Sequence, residues 1–180
     1  ASVDSPADID QMNASAAVVL AAVGRPSVAV AITLDDLARL GVQGVDDETL
    51  PSVREAIAGV TGAAAVNTSA KLQAVVDALL RDLKIIKNYA DNVVNTDGAL
   101  GATGAVLTPT SGNYANVGVT GVTDGNLASI NAAVKAVGGY STSSAVDSRA
   151  KLQTLTDAYL HILQGADGTA NNLATPISRA

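Results

Sequence analysis

A thirteen-residue stretch that occurs twice in the chain decides the fold. It reads TLDDLARLGVQGV at residues 33–45 and TSGNYANVGVTGV at residues 110–122. The offset that relates Gly41 to Gly118 continues through Asp47/Asp124, Leu50/Leu127, Ile57/Val134 and Val60/Val137. Agreement over this length indicates an internal repeat, and a repeat sets the architecture of the whole chain.

Further along the chain the offset is larger, since AKLQ at 70–73 matches AKLQ at 150–153. The second copy therefore has three extra residues, which we place around Gly138-Gly139-Tyr140. Residues 174–176 (ATP) are similar to residues 107–109 (LTP), where the second copy opens. We predict a partial preceding repeat at 1–30 (a helix plus a linker), helical repeats at 31–106 and 107–174, and the start of a further repeat at 175–180.

Each copy contains three helix signals. Thr33 and Thr110 are hydroxyl caps, and Gly41 or Gly118 ends the short helix that follows. A second helix opens at Asp46 or Thr123 and has an apolar face with spacings of three and four. The third helix is capped at Asn67 or Asp147. In copy one it has a heptad seam formed by Leu72, Val76, Leu79, Leu83, Ile86, Ala90 and Val93. In copy two Gly165 ends the pattern soon after Leu163.

These signals predict an all-α fold of tandem small three-helix modules in an elongated array. Two segments leave short β-pairings between the modules open as an alternative. One is Val28-Ala29-Val30-Ala31, and the other is the connector at 95–106, which is rich in Gly, Thr and Ala and has no helical period.

The composition excludes several classes of function. Apolar residues make up 48% of the chain but aromatic residues only 2%, so we expect a thin core made of Ala, Val, Leu and Ile. A net charge of −6 argues against a nucleic-acid partner, because phosphate binding needs clustered Lys and Arg. No apolar stretch is long enough to span a membrane, and the absence of Cys excludes disulfides and thiolate chemistry.

We predict no catalytic residue, no cofactor site and no transition-metal site. The lone histidine, His161, corresponds to Arg81 in the first copy, and no motif accompanies it, so we interpret it as a structural or surface residue. Calcium is the one cofactor worth testing, with Asp97 and Asp167 as candidate ligands in turns. Neither turn fits an EF-hand, and turn formation is the favoured interpretation of these Asp residues.

The second copy contains the pattern TPTxxxYxxxGVTGVTxxNLxxIN, from Thr108 to Asn131. This pattern resembles the Ala-, Val- and Thr-rich helical tandem repeats of very large exported proteobacterial surface proteins, including RTX-type adhesins. The resemblance covers copy two well and copy one in part, where Asp46, Thr49 and Pro51 replace Thr123, Asn126 and Ala128.

The resemblance implies an extracellular location at the bacterial cell surface and a non-catalytic role. We expect a stalk, an extender, or a subunit of a surface layer or filament, whose partners are copies of itself or neighbouring repeats. The alternative is a small helical module that binds a host or matrix protein.

Overall fold

The computed structural model describes residues 5–140 and 146–166, and for residues 139 and 140 it describes the backbone alone. Within these residues every regular element is helical and no strand occurs, which confirms the all-α prediction. The α-helices are α1 (Pro6–Ala22), α2 (Pro26–Ala29), α3 (Leu34–Arg39), α4 (Leu50–Gly59), α5 (Ser69–Ala90), α6 (Ser111–Asn116), α7 (Leu127–Tyr140) and α8 (Arg149–Ala166), and a 3-10 turn covers Ala63–Ala65. None of these helices is long and apolar enough to cross a membrane.

The predicted caps of the two short helices, α3 and α6, are present. The Thr33 hydroxyl accepts from the backbone N–H of Asp36, and the Asp36 carboxylate accepts from the backbone N–H of Thr33, so α3 begins with a complete capping box. Asn113 accepts from the backbone N–H of Thr110 in the same way at 2.8 Å. Gly41 and Gly118 follow the two short helices with φ of 78° and 84°, a conformation that side chains with a Cβ rarely adopt.

The middle helices α4 and α7 begin at Leu50 and Leu127, four residues after the predicted openings at Asp46 and Thr123. The long helices α5 and α8 follow Thr68 and Ser148, whose hydroxyls accept from the N–H groups of Lys71 and Lys151, so the predicted caps Asn67 and Asp147 are each one residue too early.

The long helix α5 ends earlier than the heptad pattern predicts. The positions from Leu72 to Ala90 in the seam are buried, but Val93 is 45% exposed and lies outside the helix. The chain turns at Asn92, whose φ is 55°, and the backbone N–H of Val93 donates to the Asn88 carbonyl at 2.8 Å. This left-handed C-terminal cap stops α5 although the apolar spacing continues.

The alternative of short β-pairings is wrong for Val28–Ala31. Pro26 occupies the first position of α2, where its fixed φ suits a helix, and the segment winds into one helical turn. Ile32 follows it into the core, with 0% of its surface exposed. In the connector, two backbone hydrogen bonds join Asn95 to Gly104 and Ala105, but they do not extend into a strand.

The chain divides into two compact units. The first consists of Ala1–Lys84 with Asn116–Gly118, and α1 packs there against α2, α3 and α4. The second consists of Ile85–Ala115 with Val119–Ala180, and α7 packs there against α8. The division differs from the predicted repeat boundaries at 31–106 and 107–174, which remain a prediction.

Candidate functional site

The polar side chains with the most regular geometry are two glutamines at equivalent positions of the two copies. In the first unit, Gln73 accepts from the backbone N–H of Gln43 at 2.8 Å and donates to its carbonyl at 3.2 Å. In the second unit, Gln153 makes the same pair of bonds to Thr120, at 2.8 and 3.2 Å. Each glutamine therefore fixes the loop after the short helix to the long helix. We call this arrangement the glutamine clamp.

A glycine lets each clamped loop approach the long helix. Gly44 and Gly121 have φ of 81° and 85°. A Cβ on Gly44 would lie 3.4 Å from a methyl of Leu80, and one on Gly121 only 2.7 Å from the corresponding methyl of Leu160. The two glycines and the two leucines are equivalent positions of the sequence repeat.

A second contact recurs in both copies, although its residue types differ between them. The sequence repeat did not predict this contact. Arg54 Nε donates to the Ile32 carbonyl at 2.7 Å, and Asn131 Nδ2 donates to the Pro109 carbonyl at 2.9 Å. Donor and acceptor both lie at equivalent positions of the repeat, so the middle helix holds the carbonyl that precedes the short-helix cap. In the second unit the Tyr114 hydroxyl donates to Asn131 Oδ1 at 2.7 Å. Burial raises the pKa of Tyr114, and the nearby Tyr89 raises it further.

Asp36 of the α3 cap is also bonded to α1, so its carboxylate joins two helices as well as capping one. The buried Ser15 hydroxyl donates to Asp36 Oδ1 at 2.7 Å. Burial opposes ionisation of Asp36 and is the largest single influence on its pKa. Hydrogen bonds from Thr33 and Ser15 and the charge of Arg39 outweigh it, so the pKa lies below its ordinary value.

Asn116, the last residue of α6, belongs to the first unit and makes a comparable polar contact there with Asp82 of α5. Asn116 Nδ2 donates to Asp82 Oδ2 at 2.6 Å, and the Asp82 side chain is 0% exposed. Arg81 Nε lies 3.0 Å from Asp82 Oδ1 and is half exposed. The hydrogen bond and charge of Asp82 raise the Arg81 pKa. This buried carboxylate was not recognised in the sequence, where an Asp in a heptad helix predicts only a solvated face.

The residues weighed for chemistry do not converge. His161 lies half-buried on α8. Asp97 Oδ1 accepts from the backbone N–H of Ala99 at 3.0 Å in an Asx turn, beside the buried Asn95. The second calcium candidate, Asp167, lies outside the described residues. Among residues 5–140 and 146–166, no group of three or more His, Asp or Glu residues is arranged to hold a metal ion.

The first unit also contains a mostly apolar pocket of about 170 Å³ next to α1, which is partly open to solvent. Met12, Ala16 and Leu20 of α1 line one side of it. The other side includes Leu40, Val66 and Leu72. Val19 of α1 lines the pocket as well, together with polar groups of Asn67, Thr68 and Ser69 near the start of α5.

Comparison with known proteins gives no relative. No protein-family model matches the chain, and no curated protein or solved structure is significantly similar to it.

Proposed function

We propose that this chain is a non-catalytic structural segment of a bacterial cell-surface protein, acting as a stalk, an extender, or a subunit of a surface layer or filament. The observation that carries the proposal is the recurrence of the glutamine clamp with the same distances in both units. Its polar groups are engaged with the chain's own backbone, as in repeat proteins that obtain rigidity from contacts between neighbouring elements.

Three other features support a structural role. The caps of α3 and α6, the glycines against Leu80 and Leu160, and the carbonyls held by Arg54 and Asn131 recur at equivalent positions of the repeat. These contacts set the geometry of each copy. The location at the cell surface rests on the resemblance of the Thr108–Asn131 pattern alone.

Electron microscopy of the purified chain, combined with a binding assay, tests the proposal. We expect short rods for a spacer, and ordered sheets or fibres for an assembly subunit. The assay immobilises the chain and measures binding of fibronectin, collagen, fibrinogen and serum albumin. Saturable binding to one of them, at micromolar affinity or better, would contradict the structural role and favour a host-binding module. The same chain denatured in urea before immobilisation controls for binding through misfolded surface.

A further inference from the structure

We propose that two pairs of residues determine which short helix packs on which middle helix, and so keep the two copies from exchanging helices. The first copy uses Leu37 and Arg54, and the second uses Tyr114 and Asn131 at the equivalent positions of the sequence repeat. Chains with similar repeats are prone to joining the wrong parts during folding. The inference does not depend on the proposed function, because it concerns pairing between elements of this chain.

The contacts that recur in both copies cannot distinguish them. Gln73 and Gln153 bind backbone groups, with the same two distances in each copy. Both short helices begin at a threonine cap, Thr33 or Thr110. A short helix from the other copy would offer the same backbone partners. Discrimination between the copies therefore has to come from side chains that differ.

The pair in the second copy is buried and joined by a hydrogen bond. Tyr114 of α6 is fully buried, and its hydroxyl donates to Asn131 Oδ1 at 2.7 Å. Asn131 of α7 is also buried, and its Nδ2 donates to the Pro109 carbonyl at 2.9 Å. Because burial keeps water from both side chains, each needs the other as its partner.

The pair in the first copy has no such bond. Leu37 of α3 is buried and has no polar atom in its side chain. Arg54 of α4 is half-buried, and its Nε donates to the Ile32 carbonyl at 2.7 Å. A guanidinium has N–H donors but no acceptor. The side chain of Arg54 therefore offers nothing to which a buried hydroxyl could donate.

Each crossed arrangement leaves a buried polar atom without its partner. If α6 packed on α4, the Tyr114 hydroxyl would find no acceptor on Arg54, and its ring would need more room than Leu37 takes. If α3 packed on α7, Leu37 would supply no donor to Asn131 Oδ1 and would leave part of the space of the phenol ring empty. Native pairing avoids both costs, so the two pairs select it.

Disulfide trapping measures the pairing, because the chain has no cysteine of its own. Ser111 Oγ of α6 lies 2.6 Å from Asp124 Oδ1, so Ser111→Cys/Asp124→Cys reports native pairing. Asp47 is the repeat equivalent of Asp124, so Asp47→Cys/Ser111→Cys reports α6 at the site of the first copy. We call this variant the crossed-pair reporter. Each reporter is unfolded in urea with reductant and refolded in a glutathione redox buffer, and mass spectrometry gives the yield of its linkage. The same protein oxidised without unfolding gives the background.

Making the two copies alike at these positions should raise crossed pairing. In the crossed-pair reporter we expect Leu37→Tyr/Arg54→Asn to raise the yield of the 47–111 linkage about fivefold or more, the factor that follows when a buried polar group keeps its partner. Tyr114→Leu/Asn131→Arg makes the copies alike in the opposite direction and should raise the yield similarly. The test therefore does not rest on the folding of one variant.

Combining all four substitutions provides the matched control, because it exchanges the pairs and makes the copies differ again. We expect the 47–111 yield to return close to that of the reporter with its own side chains. An unchanged yield in both double variants would overturn the proposal. A yield in the combined variant as high as in the double variants would also overturn it, since the excess would then come from lost stability instead of likeness between the copies.

Discussion

At the scale of single residues, the two copies act as controls for each other. Val76 is fully buried in α5, and its equivalent in α8 is Thr156, also buried, whose hydroxyl has no hydrogen-bond partner in the described structure. Valine and threonine have almost the same shape. The difference between these positions is therefore the cost of burying a hydroxyl that is not hydrogen-bonded.

We expect Thr156→Val to raise the free energy of unfolding by about 1 kcal/mol, because it removes an unsatisfied buried hydroxyl without creating a cavity. The reciprocal change, Val76→Thr, should lower it by a similar amount. Urea denaturation followed by circular dichroism measures both. If Val76→Thr stabilised the protein, a buried hydroxyl at this position could find a hydrogen-bond partner. The cost that we assign to the Thr156 hydroxyl would then be wrong.

Gly138 lies where α7 closely approaches the end of α5, and Gly59 of α4 serves as its control. A Cβ on Gly138 would lie 2.1 Å from the Ala90 carbonyl oxygen, a contact that backbone atoms must move to relieve. We expect Gly138→Ala to destabilise the protein by about 3 kcal/mol. Gly59, at the end of α4, has nothing within 4 Å of its Cβ position. Gly59→Ala should therefore stabilise by about 0.5 kcal/mol through reduced backbone entropy. Thermal denaturation of both variants is the measurement, and equal effects would contradict the packing.

At the scale of elements, local signals were sufficient for much of the fold. Thr33, Thr110, Gly41 and Gly118 act within a few residues of themselves, so their caps could be predicted from sequence alone. One prediction and one open alternative were wrong because local backbone preferences decided the outcome. Pro26 starts a helical turn at the segment where a short β-pairing had been left open, and the left-handed Asn92 ends α5 before Val93.

The contacts between elements were harder to predict. Arg54 and Asn131 hold equivalent carbonyls but share no chemistry except an N–H donor, so sequence matching does not pair them. Gln73 and Gln153 are identical in sequence, yet their partners are backbone groups, which carry no sequence signal. Asp82 is buried through a contact with Asn116, which is distant in the sequence. Such roles depend on the tertiary fold.

The glutamine clamp gives a prediction for the pairing of the loop with the long helix. Gln73→Met keeps the length of the side chain but removes both bonds to Gln43 and the bond to Asp77. We expect a loss of about 1 kcal/mol, which is modest because the released groups can bond water. Gln153→Met should give the same loss in the second unit. Gln43→Ala is the matched control, because Gln43 contributes its backbone to the clamp; a loss as large as that of Gln73→Met would contradict this role. Chemical denaturation gives the free energies, and hydrogen exchange at residue 43 reports the loop.

At the scale of the whole molecule, the two units differ in how they bear charge at the short-helix cap. The first unit uses Asp36, bonded to Thr33 and Ser15, and the second uses the uncharged Asn113. The otherwise similar caps therefore predict different responses to acid. Acid sensitivity of the cap should therefore distinguish the first unit from the second.

The sign of the response follows from the lowered pKa of Asp36. The folded state holds the carboxylate ionised more strongly than the unfolded state, whose pKa is near the ordinary value of 3.8. The stabilisation is therefore present above that value and is lost as pH falls through the folded pKa. We expect Asp36→Asn, which copies the second unit, to reduce the loss of stability between pH 5 and pH 3, as measured by urea denaturation at each pH. Its stability at neutral pH should fall below that of the wild type, because the amide lacks the charge that the folded state stabilises beside Arg39.

The reciprocal variant, Asn113→Asp, completes the test. It places a carboxylate at the α6 cap, where it can accept from the backbone N–H and hydroxyl of Thr110 as Asn113 Oδ1 does. We expect it to introduce acid sensitivity into the second unit, seen as faster hydrogen exchange around 110–116 below pH 4. An Asp36→Asn chain that loses stability in acid as steeply as the wild type would assign the response to other carboxylates. Asp46 would then be the first to test, because hydrogen bonds from Thr49 lower its pKa.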